Sequence, residues 1–356
     1  MPRRRRIFRI WAAAVPVALL CLSCDSFFEP EGPEYPVLNI HDSIIVTPPA
    51  PVDTTTPTPP APVDTTTPTP TPPDPPAPPD PPTPPDPTIP AALYTWPELP
   101  AQVDQDRNGI DDLNPDYYYS HTFRADAGSV RNFTACYSRG MLHPVWVAAP
   151  MHRCYLGSSG RNDSYRDDPQ IPFSQSPKFD GYTRGHMIGS SDRTVSVATN
   201  KQVFYYSNIG AQLQNGFNTG GGAWNNLEDK VDTYLCSDTL YQVVGCIFQT
   251  FTDRYGRTVS AEKGSNSLGQ FQKPTGWYKV LLRTKAGNTG KSVANCAASE
   301  LQCVAFILGH YGNVQHKPSV QDMYSVTALE GLTGLTFFVN VPNAPKDTFN
   351  ASDWGL

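Results

Sequence analysis

The sequence runs to 356 residues, with 27 Lys/Arg against 33 Asp/Glu for a net charge of −6, and it carries 38 prolines. Residues 1–92 hold 5 basic and 10 acidic side chains (−5), which leaves 22 and 23 (−1) for residues 93–356. A near-neutral body cannot coat nucleic acid electrostatically, so that class is excluded, whereas a local grip on one phosphate is not.

The N-terminus reads as a targeting segment. Arg3 to Arg6 and Arg9 form a charged region, Trp11 to Leu22 an apolar stretch too short for a stable membrane span, and Cys24 closes it. The pattern resembles a bacterial lipoprotein signal over residues 1–24, with Cys24 as the lipidated first residue, although Cys21 stands where Leu or Val is usual. Ordinary secretion is the alternative, and either route takes the chain out of the cytoplasm. A cell-envelope lipoprotein would meet a membrane through lipidated Cys24 alone.

Residues 25–92 form a Pro-rich linker. An 11-residue unit, Pro-Ala-Pro-Val-Asp-Thr-Thr-Thr-Pro-Thr-Pro, occurs at 49–59 and again at 60–70, with almost nothing apolar to bury. In polyproline II, roughly 43 residues at about 3.1 Å each would reach on the order of 130 Å, the dimension of a stalk. The folded part is expected over 93–356.

Apart from Cys21 and Cys24, six cysteines remain: Cys136, Cys154, Cys236, Cys246, Cys296 and Cys303. An even number in an oxidising compartment predicts three disulfides, and nearest-neighbour pairing (136–154, 236–246, 296–303) is the simplest of the possible arrangements. None of the spacings makes a zinc knuckle. Asp104-Gln105-Asp106-Arg107-Asn108-Gly109-Ile110-Asp111-Asp112 has the oxygen spacing of a short calcium loop but Pro115 where a bidentate carboxylate would stand, so calcium loop and Asx-rich turn both remain open.

Strand signals begin at Tyr117-Tyr118-Tyr119 and continue through Val145-Trp146-Val147, Val203-Phe204-Tyr205-Tyr206, Tyr241-Gln242-Val243-Val244 with Cys246-Ile247-Phe248, Trp277 to Leu282, Cys303 to Leu308 and Leu335 to Val339. Residues 223–235 change period, with Trp224, Leu227, Val231 and Leu235 at helical spacing, and Ser325 to Gly331 predicts a shorter helix. Antiparallel strands around one marked helix predict an α+β domain.

The chemistry is concentrated in Gly181-Tyr182-Thr183-Arg184-Gly185-His186-Met187-Ile188-Gly189-Ser190-Ser191-Asp192-Arg193. An imidazole between two guanidinium groups, flanked by glycines that let backbone approach a ligand, suits phosphodiester chemistry. Downstream, Ser207-Asn208-Ile209-Gly210-Ala211-Gln212, Gly216-Phe217-Asn218 and Trp224-Asn225-Asn226-Leu227-Glu228 supply oxygen ligands for a hard cation.

Arg184-Gly185-His186-Met187 with Asn208, Phe217-Asn218 and Leu227-Glu228 resembles the DNA/RNA non-specific endonucleases, the ββα-metal (His-Me finger) group that includes endonuclease G. His143-Pro144-Val145-Trp146-Val147-Ala148 and Glu330 to Phe338 extend the likeness over about 117–345. The resemblance implies a ββα-metal fold with a mixed, mainly antiparallel sheet and flanking helices. It implies DNA and RNA as substrates, cut internally to leave 5′-phosphates. His186 would be the general base, and Asn218 the protein ligand of Mg²⁺, with Mn²⁺ the other cation such a site accepts. Glu228 would hold the waters around the cation, Asn208 would pin the loop under the histidine, and Arg184 would touch the backbone phosphate or form an internal ion pair. Arg161 matches the phosphate-clamping arginine, with Arg166 as the competing assignment.

Two departures set a rival reading. Thr183 replaces the usual aspartate before Arg-Gly-His, and ten positions separate Asn218 from Glu228 where the family has eight, with Gly220-Gly221-Gly222 in the gap. They motivate a surface-displayed lipoprotein binding module with a degenerate nuclease site. Absorbing the extra residues as a loop before a helix near Ala223 would keep the site intact.

Overall fold

A computed structural model describes residues 95–124, 130–171, 179–218, 221–313 and 315–356. The expected signal (1–24) and linker (25–92) lie outside these residues. Three strands come first: β1 (Tyr117–Arg124), β2 (Val130–Ser138) and β3 (His143–Met151). A short pair follows, β4 (Thr183–His186) and β5 (Ile209–Gln212), with helix α1 (Val197–Gln202) between them. Helix α2 (Ala223–Asp232) then leads into β6 (Leu240–Ile247). Two small hairpins come next, β7 (Phe251–Thr252) with β8 (Thr258–Val259) and β9 (Lys263–Asn266) with β10 (Gly269–Gln272). The chain closes with β11 (Gly276–Thr284), β12 (Leu301–Gly309), β13 (Met323–Tyr324) and helix α3 (Val326–Thr333).

The main sheet has the order β1-β2-β3-β6-β11-β12-β13, each neighbouring pair antiparallel. Its central strands are apolar on both faces because both faces are covered. On β11 the period of two sends Tyr278, Val280 and Leu282 into one layer with Leu329, Phe337 and Trp96, and Trp277 and Leu281 into the other with Trp224, Leu227 and Phe217. The second layer carries α2 and the residues beside the β4–β5 ribbon, so the site is built on that face. No helix among the described residues is long and apolar enough to cross a membrane.

Helix α2 begins at Ala223 as expected and buries Trp224, Leu227 and Val231 on one stripe. Two expected strands are not strands. Val203 and Phe204 are fully buried, but the chain before them is α1, capped by Ser196 Oγ accepting from Thr199 N at 3.1 Å. Tyr206 to Asn208 then forms a 3-10 turn, and the carbonyl of Val203 is satisfied by the Asn208 amide at 2.8 Å rather than by a ladder. Leu335 to Val339 is likewise irregular, with Phe338 at φ 52°. Glu330 Oε1 accepts from Phe337 N at 2.8 Å and from Lys346 Nζ at 2.7 Å, so a side chain does what a partner strand would do. In both stretches burial was real, but strand pairing did not follow from it.

The disulfide expectation is also corrected, because all six cysteines are free thiols. Cys136 packs in one core layer and Cys154 beside Tyr155, while Cys246 lies in the opposite layer from Cys136. Cys236, Cys296 and Cys303 each donate to a separate carbonyl, of Asp238, Ser292 and Pro345. In the 104–112 loop, Asp104 accepts from the N–H groups of Asn108 and Gly109, both at 3.0 Å, and Asn108 Oδ1 accepts from Ile110 N at 2.7 Å. That is an Asx-rich turn, and no group of three His, Cys, Asp or Glu side chains among the described residues could hold a metal ion.

Candidate active site

The ribbon β4–β5 pairs Thr183 with Gln212, Arg184 with Ala211, Gly185 with Gly210 and His186 with Ile209. Gly185 is required by close approach, since a Cβ there would lie 2.5 Å from the Gln212 side chain. Asn208 secures the turn beyond His186: its Oδ1 accepts from Ile188 N at 3.0 Å, and its Nδ2 donates to the carbonyls of Ile188 (3.0 Å) and Val203 (2.8 Å). The Met187 N–H bonds the Asn208 carbonyl at 2.9 Å, so the histidine is held between fixed neighbours.

The His186 ring packs edge-on against Phe204 (4.9 Å between centroids) and beside Tyr165 (5.8 Å). Its Nε2 is buried with no hydrogen-bond partner among the described residues. Burial lowers its pKa to about 3, the Arg161 and Arg184 charges add to the drop, and Asp163 works against it. The ring is therefore neutral at physiological pH, the form that can accept a proton, and an incoming phosphate would draw its pKa back up.

His186 lines a cleft of about 480 Å³ with Arg161, Gln212, Asn218, Asn225 and Glu228. Arg161 is half-exposed, paired with Asp163 at 2.7 Å, and donates to the Tyr165 hydroxyl at 3.1 Å. Arg166 does not line the cleft and stacks on Tyr205 instead. Arg184 is exposed, and its guanidinium sits 3.9 Å from the centroid of the Tyr165 ring. No carboxylate pairs with it among the described residues. The other arginine of the opening motif needs correction. Arg193 is fully buried and spends its five donors on Asn132 Oδ1 and O, Pro150 O, Asp192 O and Met151 Sδ, which leaves none for phosphate.

Across the cleft, Asn218 Nδ2 donates a short hydrogen bond to Gln212 Oε1. That bond fixes which end of the Asn218 amide faces outward, and its Oδ1 has no partner among the described residues. A neutral amide oxygen held this way suits a hard cation that keeps most of its waters. Of the Gly-rich insertion, Gly221 and Gly222 are described and lie before α2. Gly221 takes φ 80°, and a Cβ on Gly222 would come within 2.5 Å of the Phe217 carbonyl oxygen. Asn226, on α2, ties this loop down through Gly221 O (3.0 Å) and His316 O (2.6 Å).

Glu228, one turn after Trp224 on α2, accepts from the Trp224 indole at 3.1 Å. Burial raises its pKa to about 7; Lys279 opposes this, and Asp192 and Asp232 add to it. Lys279 is nearly buried on the central strand β11 under the Trp224 ring. A group that titrates near neutrality at the edge of a cleft is a mark of functional chemistry.

Three contributors were not singled out from the sequence: Gln212, Asn225 and Tyr165. The first two stand in the oxygen-rich downstream run, and only the cleft separates them from its structural members. Tyr165 carries no motif signal, and it is the contacts with Arg161, Arg184 and His186 that make it central.

An antiparallel sheet with a helix, a glycine-lined ribbon and this set of side chains in one cleft defines an α+β nuclease of the ββα-metal type. A model of the DNA/RNA non-specific endonuclease family matches residues 114–344, and the chain belongs to that family. It is similar to the mitochondrial nuclease of Saccharomyces cerevisiae, 24% identical over 66% of this chain and 73% of the relative. It is similar as well to a nuclease of Nostoc sp., 26% identical over 56% of this chain and 68% of the relative. A solved chain described as an EndoG/EndoGI complex is 23% identical, with a TM-score of 0.45 over 59% of this chain and 84% of that one.

Proposed function

We propose that this endonuclease hydrolyses phosphodiester bonds of both DNA and RNA, with His186 as general base and a divalent cation, Mg²⁺ or Mn²⁺, held by Asn218. The observation that carries the proposal is convergence: His186, Arg161, Gln212, Asn218 and Glu228 line one cleft, and Asn218 Oδ1 has no partner among the described residues. When bound, the cation would neutralise charge on the phosphorus oxygens and on the leaving 3′ oxygen.

His186, neutral at working pH, takes the proton of the attacking water. The P–O3′ bond breaks on the far side, so the 5′ phosphate stays with the downstream fragment. Arg161, which lines the cleft, grips the phosphate, and Arg184, outside the cleft lining and stacked on Tyr165, keeps its donors for the neighbouring nucleic-acid backbone. Glu228 would hold water on the cation side by accepting its hydrogen bonds, and Asn208 holds the turn on which His186 depends. None of these groups reads a base edge or a 2′-hydroxyl, which supports action on both nucleic acids.

The deciding experiment is nicking of supercoiled plasmid and of single-stranded RNA with Mg²⁺, with EDTA, and with His186→Ala. Cleavage that needs the cation and His186 is the expected result. A folded protein that binds but never cleaves would instead fit a lipoprotein binding module with a degenerate site. Export, with or without lipid on Cys24, is part of the same proposal, and radiolabelled palmitate retained by wild type and lost in Cys24→Ala would distinguish anchoring from secretion.

A further inference from the structure

The ribbon β4–β5 carries the base, but only one edge of β5 is paired within it. In an antiparallel strand alternate residues turn their N–H groups to opposite sides. Those of Ala211 and Leu213 turn away from β4, and neither meets a strand. Ala211 N donates to His143 Nε2 at 2.9 Å and Leu213 N donates to His310 Nε2 at 3.0 Å. Each ring is oriented from its other nitrogen: His143 Nδ1 donates to Pro144 O at 2.7 Å, and His310 Nδ1 donates to Pro274 O at 2.9 Å. His143 opens β3 and His310 directly follows β12, so both belong to the main sheet.

We infer that His143 and His310 are positioning residues of the nuclease, a pair of imidazole acceptors that replaces a missing strand and fixes the catalytic ribbon against the central sheet. The inference rests on the reading of His186 as the base, which lies on β4 of that ribbon.

Two further observations fit a built contact. Gly210, just before Ala211, has no room for a side chain, since a Cβ would lie 2.6 Å from His143 Cε1 and 2.9 Å from Trp277. The surroundings are dry and aromatic: Trp277 packs against both rings, Phe248 against His143, and Phe217 and Tyr182 against His310.

Both rings can accept only while neutral, because an imidazolium has two donors and no acceptor. Burial holds His143 down to about 3 and His310 to about 4, with Pro144 O and Pro274 O pulling the other way. The titratable groups that face the pair are the two rings themselves, His310 lowering His143, and the Tyr182 phenol stacked on His310.

The first test needs no variant. Long-range ¹H–¹⁵N spectra of the full chain at neutral pH should show both rings neutral with the proton on Nδ1. A protonated ring, or a proton on Nε2, would overturn the inference whatever the nuclease activity. Amide exchange should then show Ala211 and Leu213 losing protection together as pH falls below about 6.5, ahead of the β3–β6 ladder; loss in step with the ladder would count against a separate clamp.

The kinetic test pairs His143→Ala and His310→Ala with His143→Gln and His310→Gln, since a glutamine Oε1 can accept where Nε2 did. A ribbon displaced by an ångström costs about 100-fold in kcat with KM little changed, and the Gln variants should recover about ten-fold or more of that loss. Equal activity in Ala and Gln variants would overturn the clamp. If the Ala variants do not fold, the tautomer and exchange measurements decide. Because those two readouts do not depend on cleavage, they separate failure of the clamp from failure of His186 as base.

Discussion

Gln212→Met tests whether the cation site depends on a residue that touches no substrate. Gln212 is fully buried, and its Oε1 accepts from Asn218 Nδ2. Its side chain packs where a Gly185 Cβ would otherwise be, and methionine has nearly the same length, so packing is kept while the acceptor is lost. The Asn218 amide is then free to rotate and present its NH₂ to the cleft. Partners that orient a metal-holding group are worth about 10- to 100-fold in affinity or activity, or roughly 1.4 to 2.7 kcal/mol. The Mg²⁺ concentration for half-maximal plasmid cleavage should therefore rise by about that factor, and Mn²⁺ binding followed by EPR on the protein alone should weaken in parallel. Gln212→Glu restores an acceptor for Asn218 but adds an anion beside the phosphate, so it should bind Mn²⁺ more tightly than the Met variant while raising KM. Unchanged Mn²⁺ affinity in Gln212→Met would refute the reasoning, because orientation of the amide would then owe nothing to Gln212.

His186→Ala should cut plasmid nicking by about 100- to 10,000-fold, the span of a positioned acid or base, with circular dichroism unchanged; metal-dependent cleavage retained by that variant would sink the mechanism. Arg161→Ala should lose activity while Arg166→Ala stays near wild type in kcat/KM, because only Arg161 lines the cleft; the reverse order would return the clamp to Arg166. Stability should fall as pH drops from about 6.5. His121 and His310 are held down to about 4 and His143 to about 3 by burial, so the unfolded chain takes up protons that the folded chain refuses. Each group steepens the loss by up to about 1.4 kcal/mol per pH unit. Glu228, raised to about 7 by burial, has the opposite sign and offsets part of it. A urea midpoint that is flat or rising from pH 7 to pH 5 would contradict this balance. Reductant should leave the thermal midpoint unchanged, with alkylation mapping finding all six cysteines from Cys136 to Cys303 as thiols; a shift would mean that disulfides form after all.

The sequence made the chemistry legible where residue type and spacing act locally. Arg184-Gly185-His186 sits on a two-stranded ribbon because the two glycines of its central pair leave room that no other residue would. Helix α2 announced itself through the stripe of Trp224, Leu227 and Val231, and that stripe fixes where Glu228 points. Arginine type alone did not distinguish a phosphate grip from a core strut. Arg184 and Arg193 lie nine positions apart in one motif, yet one is exposed on Tyr165 and the other is buried with its donors spent on neighbouring side chains and backbone.

What stayed hidden shares one physical cause, which is backbone bonded by side chains from distant segments. Val203-Phe204 and Phe337-Phe338 have the composition of strands, but Asn208 and Glu330 satisfy their main chains. The outer edge of β5 follows the same rule, with histidines 68 and 97 positions away accepting its N–H groups. Periodicity reports which way side chains face and is blind to who completes the hydrogen bonds, so such places look like ordinary strands in sequence. Asn208 and the edge of β5 flank the ribbon that carries His186, whereas Phe337 and Phe338 pack in the opposite layer. A ribbon bonded by a ladder would be pinned along its whole length by a neighbouring strand. One held at two points can be placed where the base is needed, and it then depends on those two points remaining neutral.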